Sequence, residues 1–186
     1  MIFLSLLLQL LVLVQFPGIE NSFFKKYDTL NTLNVDTIPL KNQLILNYTV
    51  KHGPKISPTY EKAVCTELLI GILKNFITLS DLDKKKIRII SDENIAVLRL
   101  KNSPVPKGVY YALTSNNMGA PIDDVAKVLP GDLVQFWNLY WGHCGVVKAI
   151  NVQEKTMELY SSFPSTGGYG IQTFAIPEEC YFVRLK

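Results

Sequence analysis

Apolar positions along this chain of 186 residues follow one period in the first two thirds and another in the last. Across residues 59–79, Cys65, Leu68, Leu69, Ile72, Leu73 and Phe76 recur at i, i+3, i+4, i+7, i+8 and i+11, a single helical stripe facing a core. Ser57 and Pro58 offer an N-cap and first-turn pair for that helix, and a start nearer Ala63 fits equally well. The Gly and Pro content of residues 51–58 predicts a loop, with His52 solvated in it. Residues 40–48 form an element whose type the pattern leaves open. Residues 87–90 and 95–98 suit helix or strand, with helix favoured. Pro104, Pro106 and Gly108 break the chain before a short helix over 109–113, and residues 121–125 start another helical turn, Asp123 and Asp124 suiting its N-terminal end.

Beyond Leu129 the pattern changes. Residues 133–137, 144–152, 156–162, 170–175 and 181–185 are short runs rich in β-branched and aromatic side chains, as strands are. Turns fall near Gln153-Glu154-Lys155 and Ser165-Thr166-Gly167-Gly168. Helices first and an antiparallel sheet second is an α+β order.

Composition narrows the picture in three ways. A hydrophobic share of 48% with 19% charged residues suits a folded chain with a real core, and the length suits one domain over residues 19–186. The net charge of +3 comes without a dense basic patch, Lys84-Lys85-Lys86 being the only compact run, so nucleic acid is not an expected partner. Residues 1–18 carry no charged side chain and are mostly apolar. That run is shorter than the ~20 residues a membrane span needs and fits a signal peptide, with an uncleaved membrane anchor or a buried first helix as alternatives. Export (periplasmic, secreted or membrane-anchored) is the expected localisation.

The candidate chemistry lies in few residues. His143 is one of only two histidines and opens a predicted strand between Gly142 and Gly145, a rigid mount with no bulky neighbours, as a catalytic base needs. Cys65 stands near the start of the strongest helix, where unpaired N–H groups and the macrodipole favour a thiolate and can stabilise an oxyanion. A small buried hydrophobe is the alternative for Cys65. Cys144 follows the histidine on a strand, so its side chain should point to the opposite face, into the core; Cys180 also reads as structural. Three cysteines leave at least one unpaired, and the absence of Cys-x-x-Cys spacing or a second histidine near His143 argues against a metal site. No cofactor is expected.

Pro130-Gly131-Asp132-Leu133-Val134-Gln135-Phe136, followed by Gly142-His143-Cys144-Gly145-Val146-Val147, resembles the PGDLVFF…HVGIY signature of the NlpC-type cell-wall peptidases and the related CHAP amidases. Ala63-Val64-Cys65-Thr66-Glu67-Leu68 is similar to their nucleophile segment, with Val64 where an Asp commonly stands. The resemblance spans roughly residues 60–162. It implies a papain-like fold, N-terminal helices packed on a C-terminal antiparallel sheet, and thiol hydrolysis of amide bonds in peptidoglycan stem peptides. Cys65 would be the nucleophile and His143 the base. The family's third polar residue, which orients the imidazole, falls nearest Ser161 here, with Glu158 as second choice. Trp137, Tyr140 and Trp141 are candidate walls of a groove for a peptide or sugar. A monomer acting on peptidoglycan peptide is the expected form, open to an inhibitor or immunity protein. Rival expectations are a catalytically silent wall-binding module and a thiol acyltransferase or deamidase acting on protein.

Overall fold

A computed structural model describes residues 38–186; the apolar segment 1–18 lies outside the described residues. Helix α1 (Leu40–Ile56) runs straight through most of the expected loop. Gly53 and Pro54, which read as chain breakers, sit in its final turns. Pro54 costs the helix one backbone hydrogen bond near an end where carbonyls are already losing partners. Gly53 is required by packing: a Cβ there would stand 2.2 Å from the Tyr169 ring. His52 stacks on Tyr48, ring centroids 4.3 Å apart.

Helix α2 (Cys65–Leu73) is shorter than the predicted stripe and buries every residue from Leu68 to Leu73. Ser57 is not its cap but the C-cap of α1, and Val64 in extended conformation precedes α2 without a side-chain cap. Helix α3 (Asp81–Ile87) starts with a reciprocal capping box between Ser80 and Asp83. Helix α4 (Ile95–Leu100) is capped by the Asn94 side chain, and α5 (Gly108–Ser115) packs on α3. The helical turn expected at 121–125 is instead strand β1 (Gly119–Ile122), followed by a single tight turn at Val125–Lys127. Pro121 fits because β1 lies at the edge of the sheet, where a missing N–H goes unnoticed.

The five predicted strands all form: β2 (Leu133–Trp137), β3 (Gly142–Asn151), β4 (Thr156–Phe163), β5 (Gly168–Ala175) and β6 (Cys180–Leu185). With β1 they make one antiparallel sheet in the order β1-β6-β2-β3-β4-β5. The architecture is α+β. Leu68, Leu69, Ile72 and Leu73 of α2 pack with Leu133, Cys144, Val146 and Val183 on one face. Val134, Phe136, Val147, Leu159, Phe174 and Phe182 make a second core on the other. Cover on both faces explains why residues 133–137 alternate so poorly. Among the described residues, no helix is long and apolar enough to cross a membrane.

One buried carboxylate ties the ends of this unit together. Asp132 is wholly buried and accepts from Asn42 Nδ2 at 2.8 Å, the Leu129 N–H at 2.7 Å, and Arg184 Nε and Nη2 at 2.8 and 2.7 Å. It therefore joins α1, the turn before β2, and β6. Gly131 beside it has φ +89°, and a Cβ there would lie 2.5 Å from the Asn42 carbonyl. Replacing Asp132 by Ala should lower unfolding free energy by about 3–5 kcal/mol in urea titrations, because Asn42 and Arg184 lose their acceptor in a dry site. A loss under about 1 kcal/mol would show the pair behaving as an exposed one.

Candidate active site

Strands β3 and β4 are laddered only from Val146↔Tyr160 to Asn151↔Thr156. Past that point β3 stays paired with β2 as far as Trp137↔Gly142, and β4 with β5 as far as Phe163↔Gly168. The segment from Gly142 to Gly145 thus has a ladder on one side only. The N-terminus of α2 is fastened beside this parting. Ser162 Oγ on β4 donates to the Ala63 carbonyl at 2.6 Å, and Ser57 Oγ lies 2.7 Å from the same carbonyl and 2.8 Å from Ser162 Oγ. All three groups are buried.

Cys65 is the first residue of α2, where N–H groups lack intrahelical partners. Its thiol is held well below the ordinary range. The largest cause is the neighbouring Cys144 side chain; burial opposes it; the side chain and charge of His143 and then the Cys144 backbone reinforce it. The Cys65 side chain, and then burial, push the Cys144 thiol well up. Burial, and then the charge on Cys65, raise the Tyr60 phenol, which remains a donor.

Alternation along β3 sends Cys144 to the helix-covered face and His143 to the other. The imidazole is 2% exposed and packs among aromatic rings: Phe163 at 4.9 Å between centroids, Phe174 at 5.2 Å, Phe136 at 5.7 Å and Trp141 at 6.4 Å. Phe163 on β4 is the nearest of these rings. Cys65 and His143 border one cavity of about 270 Å³, together with Thr66, Arg88, Gln135 and Trp137.

Several expectations are corrected. Ser161 does not orient the imidazole: its hydroxyl and His143 Nε2 are both buried and neither has a hydrogen-bond partner. Aromatic rings fill the ring's surroundings, and none accepts an in-plane hydrogen bond as a carboxylate or amide would. Glu158 is no orienter either, since it pairs with Lys148 at 2.7 Å near the far end of β4. Of the three proposed groove walls only Trp137 lines the cavity, its indole N–H donating to the Pro106 carbonyl at 2.7 Å. Trp141 belongs to the cluster around His143, and Tyr140 is 88% exposed at a loop tip. Among the described residues no cluster of His, Cys, Asp or Glu is placed to hold a metal ion.

Two residues of the site were passed over in the sequence. Cys144 is core, as expected, and is also the largest cause that lowers the Cys65 thiol. Gln135 is 1% exposed, pairs across the ladder with Cys144, lines the cavity, and leaves Oε1 without a partner. An amide inside an otherwise apolar strand was the available signal for Gln135. A second cavity of about 250 Å³, near Tyr110, Asp123, Glu178 and Tyr181, includes Cys180, but burial pushes that thiol up to about 12.

No family model matches the chain, and no curated protein or solved structure matches it.

Cys65 should therefore be the thiol that iodoacetamide takes first at pH 6–7, with Cys180 left unmodified, as peptide mass mapping would read. Cys144→Ala removes the largest cause that lowers the Cys65 thiol and should raise its pKa. Each unit of rise cuts the thiolate fraction below that pKa about tenfold. Alkylation of Cys65 at neutral pH should slow accordingly, and an unchanged rate would show that Cys144 does not set the thiolate.

Proposed function

We propose that this protein is a papain-like cysteine amidase or endopeptidase that cleaves amide bonds in peptidoglycan stem peptides, and that it acts after export. The observation that carries the reading is a low-pKa thiol on the first residue of a helix, sharing a cavity with an imidazole from a separate strand. The likeness of the segments around Cys65 and His143 to the NlpC-type and CHAP enzymes supplies the substrate class.

The reaction needs no group beyond these. The Cys65 thiolate attacks the scissile carbonyl carbon, and the negative charge that develops on oxygen faces the unpaired N–H groups at the start of α2. The tetrahedral intermediate collapses as His143 delivers a proton to the leaving amine, which leaves a thioester on Cys65. His143 then takes a proton from water, the resulting hydroxide attacks the thioester, and the acid and free thiolate are released. Trp137, fixed by its bond to Pro106, walls the cavity where the substrate peptide lies.

A second reading rests on His143 Nε2, which has no hydrogen-bonding partner to orient it. On that reading the domain binds cell wall without cutting it. Purified peptidoglycan separates the two. Release of new amino termini by the parent protein, lost about 10³-fold or more in Cys65→Ala with the fold retained, supports the hydrolase. Binding without release, or full activity in Cys65→Ala, would overturn it.

A further inference from the structure

We infer that Ile89 is a specificity-determining residue of the cavity beside Cys65, where it receives an aliphatic side chain of the substrate next to the bond under attack. Ile89 has φ +57°, the left-handed region that β-branched residues avoid. The other non-glycine residues with positive φ among the described residues are Asn102, Asn117 and Lys155, none of them β-branched. The conformation comes from the way α3 ends. The Ile89 N–H donates to the Lys86 carbonyl at 3.0 Å and the Ile90 N–H to the Lys85 carbonyl at 3.1 Å. These are the paired bonds of a helix end whose left-handed position is ordinarily glycine. Glycine would make the same turn without strain, so the turn does not account for an isoleucine.

The surroundings of the side chain do. Ile89 is half-buried and borders the cavity that Cys65 and His143 share. Gly108, at the start of α5, leaves it room: a Cβ there would stand 3.2 Å from Ile89 Cδ1 and 2.5 Å from Gln135 Oε1. Ile89, Ile95 at the start of α4, and Trp137 give the cavity its apolar wall. The guanidinium beside them, Arg88, is turned to Glu67, its Nε and Nη2 donating to the carboxylate at 2.5 and 3.0 Å. An entering carboxylate must compete with Glu67 for that group, and an entering cation meets its charge. An aliphatic group gives up only water on reaching the wall.

That the aliphatic group belongs to a residue beside a scissile amide rests on the function proposed above; its recognition next to Cys65 does not. The test uses two alkylating reagents with one warhead, chloroacetyl-leucinamide and chloroacetyl-glycinamide, on the whole protein, with Cys65 modification read by peptide mass mapping. The ratio of the two rates, divided by the same ratio for free cysteine, cancels the reactivity of the thiol and reports the wall. In the parent the leucine reagent should be favoured about tenfold, the scale set by an added methylene or more in an apolar pocket. The preference should vanish in Ile89→Gly and in Ile89→Asn, both of which accept left-handed backbone, and persist in Ile89→Leu. In urea titrations Ile89→Gly should unfold at higher denaturant than Ile89→Ala, because only glycine relieves the turn. No preference in the parent, a preference undiminished in Ile89→Gly and Ile89→Asn, or Ile89→Ala outlasting Ile89→Gly in urea would each overturn the proposal. The preference in a protein that never cuts cell wall would support the wall and sink the hydrolase; cutting without the preference would do the reverse.

Discussion

The position of the thiol depends on one carbonyl. Ala63 precedes α2 by two residues, and its oxygen receives the Ser162 hydroxyl while Ser57 closes the triangle. These groups come from three parts of the chain: the end of α1, the approach to α2, and β4. In a dry interior an orphaned hydroxyl or carbonyl costs about 1–3 kcal/mol, so the triangle is strongly favoured over any arrangement that opens it. Val64 offers α2 no side-chain cap. The helix start is held by what lies before it, and the free N–H groups stay available beside Cys65.

The sheet then divides the chemistry between its two faces. Adjacent residues on β3 point opposite ways, so Cys144 joins the nucleophile under the helix while His143 sits in an aromatic box on the reverse side. Cys65 and His143 border one cavity where the β3–β4 ladder has ended. The strands lie close at Gly145: a Cβ there would stand 2.9 Å from the Tyr160 carbonyl. The imidazole is positioned by shape, wedged between rings, where a hydrogen-bonding orienter would normally set it.

Much of this was legible in the residues. The five strand runs from Leu133 onward carry strong β-branched and aromatic signals, and their turns fall where Gly and polar residues cluster. The Cys65 stripe marks a core helix, because apolar spacing reports burial directly. The sequence was less informative where packing overrides local preference. Gly53 and Pro54 look like a loop until Tyr169, more than a hundred residues away, is seen to need the space. Pro121 looks like a helix start until β6 pairs with it. Ser161 could not be separated from Ser162 as the working hydroxyl, since they differ only in which face they serve. The effect of Cys144 on the Cys65 thiol left no mark in spacing, because it depends on how a helix end meets a strand.

The placing of β6 has a consequence for how the protein is made. It lies between β1 and β2, with Arg184 closing on Asp132, yet it is the last of the six strands to leave the ribosome. Until residues 180–185 emerge, β1 has no neighbour and β2 shows an open edge along its whole length. Vectorial synthesis therefore yields an unfinished sheet, slow to close because its final pairing spans the longest sequence separations. A chain in that state is the form most exposed to wrong partners along the free edge of β2.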